Sequence, residues 1–143
     1  MEDILIEGIQ DLNIDDLRDD LLATLVFKSN NDTLDLGLGV ILTVGGALIS
    51  GKLISGKSYC DGLARMINYS GNIERRYGKF FTEFGEERYG DQDGDYDEDG
   101  EIQLPSYIHL KDARMITGNI DLGWWRGKLT SVDGFTIVEI SNP

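Results

Sequence analysis

The stretch GKLISGKS, residues 51–58, matches the pattern G-x-x-x-x-G-K-S of loops that bind nucleotide phosphates. In such a loop, backbone N–H groups hold the phosphates, Lys57 would reach the terminal ones and Ser58 would hold Mg²⁺. Here the alternation of apolar residues continues through Gly51 and Leu53, which predicts the end of a strand followed by the start of a helix. This interpretation disfavours nucleotide binding, which stays an alternative that would use Lys57 and Ser58.

An acidic run over residues 85–101 contains Asp95, Asp97 and Asp99 followed by a glycine, like the first half of a calcium-binding EF-hand loop. Oxygen ligands at alternate residues and a glycine at the sharp turn suit Ca²⁺. The position that should carry a bidentate glutamate is Ser106, and a strand is predicted after it instead of a helix. We therefore expect a solvated acidic loop and no cofactor, with a Ca²⁺ site at the three aspartates as the alternative.

Two aromatic rings and a guanidinium occupy adjacent positions at Trp124, Trp125 and Arg126. Such groups stack on nucleic-acid bases or on other rings, and protein interfaces are enriched in them. The formal net charge of −13 opposes binding to nucleic-acid phosphates and to anionic membrane surfaces. The three residues are therefore predicted to contact a protein partner. The structural alternative is that one Trp packs in the core and the other covers an edge or an interface.

The apolar periodicity predicts a single domain, 1–143, made of four successive parts. They are a leading helix over 13–29, a first hairpin over 33–55, a helical insertion with an acidic loop over 57–105, and C-terminal strands over 106–141. Glycines within the strands are typical of strongly bent strands. Together the parts predict an α+β fold, with an N-terminal helix and a small, strongly bent antiparallel β-barrel of the Sm/SH3-like kind that carries the insertion.

The leading helix is predicted from a stripe of apolar side chains at helical spacing. The stripe consists of Ile14, Leu17, Leu21, Leu22 and Leu25. Asn13 is the predicted N-cap, and the polar run 30–32 is predicted to end the helix. Residues 57–88 also have helical spacing, although Gly71 and Gly78 oppose a single unbroken helix.

Two glycines, Gly45 and Gly46, separate two runs of alternating apolar residues and predict a two-residue hairpin turn. In that register Leu42 lies opposite Ile49. A second hairpin is predicted around Asp133-Gly134, a pair typical of a type I′ turn, which would join strands over 124–132 and 135–141.

Single residues limit the chemistry that the chain can carry. Cys60 is the one cysteine and His109 the one histidine, so neither an internal disulfide nor a cluster of histidines can form. We expect Cys60 to be a small buried residue in a protein of the reducing cytoplasm. No basic and apolar leader follows Met1, and no apolar run reaches the roughly 20 residues that a membrane helix needs.

Three stretches resemble the gas-vesicle accessory proteins of the U type: LDLGLGVILTVGGALISGKLISGKSYCD at 34–61, YIHLKDARMI at 107–116 and WWRGKLTSVDGFTIVEIS at 124–141. The resemblance implies a small accessory factor without catalytic residues. It further implies a role in gas-vesicle assembly, organisation or clustering. Expected partners are gas-vesicle shell proteins or other accessory proteins, with the chain in the cytoplasm and associated with vesicles.

The order of the predicted elements also resembles that of Sm-like barrels, which supports a small five-stranded barrel with an insertion. This resemblance does not extend to RNA binding, because the net charge is acidic and base-binding residues are not identifiable. An Sm-like RNA-binding module stays a second alternative function. Unpaired strand edges in such a fold would favour a homo-oligomer.

Overall fold

The computed structural model describes residues 17–31, 37–69, 75–90, 100 and 103–138. Within them lie three α-helices and a five-stranded antiparallel sheet, so the predicted α+β class is confirmed. In chain order the elements are α1 (Asp20–Asn31), β1 (Leu38–Val44), β2 (Ala47–Ile54), α2 (Gly56–Tyr69), α3 (Arg75–Tyr89), β3 (Tyr107–Met115), β4 (Ile120–Lys128) and β5 (Val132–Ile137). A single 3₁₀ turn, Leu129–Ser131, joins β4 to β5.

The sheet has the strand order β4-β3-β2-β1-β5, with every neighbouring pair antiparallel. The predicted hairpin of β1 and β2 is confirmed, because Leu42 lies opposite Ile49 and Leu38 opposite Leu53. Gly45 and Gly46 form its turn with φ angles of 56° and 83°. Positive φ at both central residues suits the right-handed twist of the two strands.

Helix α1 begins at Asp20, and residues 17–19 of the predicted helix precede its start. The carboxylate of Asp19 accepts a hydrogen bond from the backbone N–H of Leu22 at 3.0 Å, which caps a helix that starts at Asp20. Residues 13–16 of the predicted helix, including the predicted cap Asn13, lie outside the described residues. The helix ends at Asn31, two residues beyond the predicted end at residue 29 and within the polar run 30–32.

The buried face of α1 also differs from the predicted stripe. Leu22, Ala23 and Val26 are fully buried, whereas Leu17 is 67% exposed and Leu21 is 64% exposed. Leu17 precedes the capped start at Asp20 and therefore does not share the helical stripe. The side of the helix that faces the sheet follows the spacing i, i+1, i+4 from Leu22.

The core lies where α1 meets the sheet, and strands on both sides of β2 contribute to it. Its buried members are Leu22, Ala23, Val26, Val40, Leu42, Ile49, Leu53, Ile108, Leu110, Ala113 and Leu129. A contiguous cluster of this kind is the main source of stability in a domain of this size.

The predicted hairpin around Asp133-Gly134 is wrong. Gly134 lies inside β5 opposite Thr43 of β1, and its φ is not positive, whereas a type I′ turn requires positive φ at both central residues. The carboxylate of Asp133 instead accepts a hydrogen bond from the N–H of Gly45 at 3.2 Å. Leu129 is fully buried, so the 3₁₀ turn is anchored in the core and leads the chain from β4 to the opposite edge of the sheet.

The predicted closure of the sheet into a barrel is not confirmed. Strands β4 and β5 are the two edges of the sheet, and no ladder joins them in the described part of the chain. The sheet is nevertheless irregular, because register shifts occur between β1 and β5, between β2 and β3, and between β3 and β4. Such bulges increase strand twist and bend a sheet.

The insertion between β2 and β3 forms two helices, α2 and α3, that pack against each other. Gly78 lies within α3 although glycine has a low helix propensity. The side chain of Asn68 on α2 occupies the space where a larger residue would place its Cβ atom. A Cβ atom at Gly78 would lie 2.4 Å from Oδ1 of Asn68. Gly71 and the acidic residues 91–99 lie outside the described residues.

Substitution of Gly134 tests its position within a strand. Gly134 and Gly46 both have open space around the site of a Cβ atom, but only Gly46 has a positive φ, of 83°. We expect Gly134→Ala to change the free energy of unfolding by less than about 0.5 kcal/mol. Gly46→Ala should lower it by about 1–2 kcal/mol, because an L side chain is strained at positive φ.

Urea denaturation of the two variants makes this comparison, with Gly46→Ala as the positive control. A loss at Gly134 as large as that at Gly46 would mean that residues 133–134 form a turn after all.

Candidate functional site

Strand β4 separates the three residues that the sequence groups together. Successive side chains of a strand point to opposite faces, so Trp124 and Arg126 lie on one face of β4 and Trp125 on the other. Trp125 packs against the core, beside Leu110 on β3. It also covers Gly127, where a Cβ atom would lie 2.3 Å from the indole ring. The structure therefore brings Trp124 and Arg126 to a common face under the helical insertion and places Trp125 elsewhere.

Trp124 packs against helix α2. A Cβ atom at Gly62 would lie 2.4 Å from the Trp124 ring, so only glycine allows this close contact. Trp124 also lines a cavity of about 530 Å³ whose charged lining comprises Asp61, Arg65 and Lys111. This volume is typical of small-molecule sites. Because the lining mixes both signs of charge, it points to no single class of ligand.

Arg126 lies close to aromatic rings at the other end of this face. Its guanidinium carbon is 3.8 Å from the ring centroid of Tyr107 and 5.7 Å from that of Phe84. Arg88 of α3 approaches the same Phe84 ring, at 5.4 Å from the centroid. Cation–π contacts of this kind stabilise an arginine side chain without neutralising its charge.

His109 of β3 lies beneath the insertion, next to Arg126 in the β3–β4 ladder. Its side chain is 1% exposed, and the ring lies 4.8 Å from that of Tyr59 and 5.5 Å from that of Tyr89. Neither ring nitrogen has a hydrogen-bond partner within the described structure. Burial, together with the nearby charge of Arg126, lowers the pKa of His109 to about 3. The imidazole is therefore neutral near pH 7 and acts as an aromatic packing residue.

Burial also favours the uncharged forms of one thiol and two phenols in this region. Burial raises the pKa of the Cys60 thiol and the pKa values of Tyr59 and Tyr89, and the charge of Arg126 opposes each of these shifts. Cys60 is buried, as expected from the sequence. A thiol with a raised pKa forms little thiolate and is a poor nucleophile.

The stretch GKLISGKS is the end of β2 followed by the first turn of α2, as predicted. The hydroxyl of Ser55 accepts a hydrogen bond from the N–H of Ser58 at 3.0 Å, and Asn30 Oδ1 accepts one from the N–H of Gly56 at 2.9 Å. These side chains therefore occupy backbone donors that a phosphate would need. Lys57 is paired with two carboxylates, which raise its pKa.

Lys57 forms one ion pair within α2 and one that links α2 to α3. Its Nζ lies 3.0 Å from Oδ2 of Asp61 on α2 and 3.4 Å from Oε1 of Glu86 on α3. Strand β2 is antiparallel to both of its neighbours, whereas a phosphate-binding loop follows a parallel strand. This arrangement gives no support to nucleotide binding by Lys57 and Ser58.

The predicted calcium ligands Asp95, Asp97 and Asp99 lie outside the described residues. Within the described ranges, no three His, Cys, Asp or Glu side chains are grouped so that they could hold a metal ion. Nor does any helix in this part of the chain have the length and apolarity to cross a membrane.

The sequence model of the family described as "Gas vesicle protein GvpU-like" matches residues 19–140, a range that contains every helix and strand described above. The chain belongs to the gas vesicle protein GvpU-like family. The resemblance seen in three stretches of the sequence is thereby confirmed. No curated protein and no solved structure matches the chain.

The sequence alone does not predict several residues of the site in this GvpU-like chain. Phe84 and Arg88 are separated by one helical turn of α3, a spacing that could have paired them on one helix face. Their contact with Arg126 joins distant parts of the chain and leaves no local pattern. Tyr107 and His109 lie on the same face of β3, because successive side chains of a strand alternate between its two faces. Nothing in the sequence shows that helices cover this face.

The burial of His109 predicts a specific dependence of stability on pH. The unfolded chain binds a proton at His109 with a pKa of about 6.5, whereas in the folded chain the pKa is about 3. Stability is therefore full above pH 6.5 and falls as the pH drops, because only the unfolded state gains the proton. Between pH 7 and pH 5 this difference should cost about 2 kcal/mol.

Urea denaturation of the wild type and of His109→Leu at both pH values measures this contribution. Acidic side chains titrate in both proteins, so the difference between the two pH dependences isolates His109. Equal losses of stability in the wild type and the variant would show that His109 is protonated in the folded protein.

Proposed function

We propose that this GvpU-like chain is a non-enzymatic accessory protein that acts in gas-vesicle assembly, organisation or clustering through protein–protein contacts. The family match over residues 19–140 is the observation that carries the proposal. Its partners would be gas-vesicle shell proteins or other accessory proteins, and its place would be the cytoplasm, on or near vesicles.

The chemistry of the described groups favours binding over catalysis. An acid–base catalyst works best with a pKa near the working pH, whereas the pKa of His109 is about 3. The Cys60 thiol is buried with a raised pKa. Lys57 is engaged by two carboxylates. These three groups are thus held in forms that suit packing and ion pairing.

Among the three residues proposed as a contact surface, Arg126 is the most suitable for direct recognition. Its side chain is exposed, whereas Trp124 packs on α2 and Trp125 packs on the core. Interfaces are enriched in arginine and aromatic residues, which combine apolar area with hydrogen-bond donors. We propose that Arg126 contacts the partner and that the two tryptophans hold β4 in position.

The free edges of the sheet support a further part of the proposal, self-association. Strands β4 and β5 each have one side without a strand partner in the described sheet. Such edges pair with other strands unless they are protected. We propose either that they meet in one bent chain, as in Sm/SH3-like barrels, or that they pair between copies in a homo-oligomer.

Flotation of gas vesicles tests the proposed contact. Purified protein is mixed with intact vesicles, the vesicles are allowed to rise, and the protein in the floating layer is quantified. We expect the wild type to be recovered with the vesicles and Arg126→Ala to be reduced about fivefold or more, as for a central interface arginine. Lys128→Ala is the matched control, since it removes the same charge two positions further along β4.

Wild-type protein that stays below the vesicles would contradict direct binding to the shell and would leave soluble accessory proteins as partners. Equal recovery of the wild type and Arg126→Ala would place the contact on another surface.

A further inference from the structure

A cavity of about 250 Å³ lies where the end of α3, the segment before β3, and β4 meet. Both Arg88 and Arg126 line it, together with the rings of Phe84 and Tyr107 and the apolar residues Leu104 and Pro105. The cavity therefore combines two cationic groups with a largely aromatic and aliphatic wall. It is separate from the contact of Trp124 with α2, where the larger cavity lies.

The two guanidinium groups approach one aromatic ring. Their central carbons lie 5.4 Å (Arg88) and 5.7 Å (Arg126) from the centroid of Phe84, and Arg126 also lies 3.8 Å from the centroid of Tyr107. The hydroxyl oxygen of Tyr89, which also lines the cavity, accepts a hydrogen bond from Arg126. A guanidinium has five N–H donors, so others remain for an acceptor in the cavity.

Neither guanidinium is neutralised by a carboxylate among the side chains that the structure describes. This is unexpected in a chain with twice as many acidic residues as basic ones, 26 Asp and Glu against 13 Lys and Arg. Two like charges near one ring repel each other. His109, behind Arg126 in the ladder, is neutral and adds no further charge. An anion placed between the two groups would offset the repulsion.

We propose that this cavity binds a carboxylate between Arg88 and Arg126, presented by the side chain of an acidic peptide or by a small free carboxylic acid. A planar carboxylate matches the fork of N–H donors on a guanidinium and can bind it through two hydrogen bonds. The wall formed by Phe84, Leu104 and Pro105 suits the methylene groups that carry the carboxylate. A volume of about 250 Å³ admits such a group. This binding requires no gas vesicle and goes beyond the proposed function.

Titration of the full chain at low ionic strength tests the proposal with three probes. They are glutarate, an N-acetylated and amidated Gly-Glu-Gly peptide, and the same peptide with Gln in place of Glu. The side-chain N–H resonances of arginine, followed by NMR, should shift saturably with the first two probes. The Gln peptide should cause no such shift, because it has the shape of the Glu peptide without its charge.

Substitutions identify the residues that bind the probe. Arg88→Gln and Arg126→Gln should each raise the dissociation constant about tenfold, as expected for the loss of a charge-assisted hydrogen bond. Lys79→Gln on α3 and Lys128→Gln on β4 are the matched controls and should change it less than about twofold. Arg126→Lys keeps the charge but lacks the planar fork, so it should also weaken binding. Circular dichroism confirms that each variant is folded.

The outcomes separate the sources of the carboxylate. Binding of the Glu peptide that is much tighter than that of glutarate assigns the site to an acidic peptide, and the reverse order assigns it to a free acid. Absence of a saturable shift with either probe would overturn the proposal. Equal weakening by the arginine variants and the lysine controls would also overturn it, since binding would then follow net charge alone. None of these outcomes depends on whether the protein floats with gas vesicles.

Discussion

The packing of helices α2 and α3 onto β3 and β4 is the interaction on which the rest of the site depends. At one end of this interface Trp124 lies against Gly62, where a Cβ atom would lie 2.4 Å from the ring. At its centre His109 is buried between Tyr59 and Tyr89. Since Trp124 and Arg126 share the face of β4 that the insertion approaches, this packing creates the two cavities beside them.

The same packing determines which groups are chemically available. Burial keeps His109 and the Cys60 thiol uncharged, and thereby removes the residues that most often act as a base or a nucleophile. The charged groups at the rim remain accessible, chiefly Arg88 and Arg126. A chain arranged in this way is suited to recognition, which agrees with membership of a gas-vesicle family and with the proposed accessory role.

Patterns of neighbouring residues predict those elements that depend mainly on contacts between residues close together in the chain. The hairpin of β1 and β2 follows from strict alternation on both sides of Gly45-Gly46, and its register was predicted correctly. The pair Asp133-Gly134 has an equally strong turn signal, yet it lies in a strand because the burial of Leu129 places the turn earlier. Likewise, the cavity at Arg126 depends on Phe84, more than 40 positions away along the chain, and no periodicity reveals such a contact.

A double-mutant cycle at Gly62 and Trp124 tests the packing of the insertion on β4 most directly. Gly62→Ala should lower the free energy of unfolding by about 1–3 kcal/mol, because the added methyl group meets the Trp124 ring. In a Trp124→Leu background the obstruction is gone, and the same substitution should cost at least about 1 kcal/mol less. Strictly additive losses would contradict the account, since they would show that α2 does not rest on Trp124.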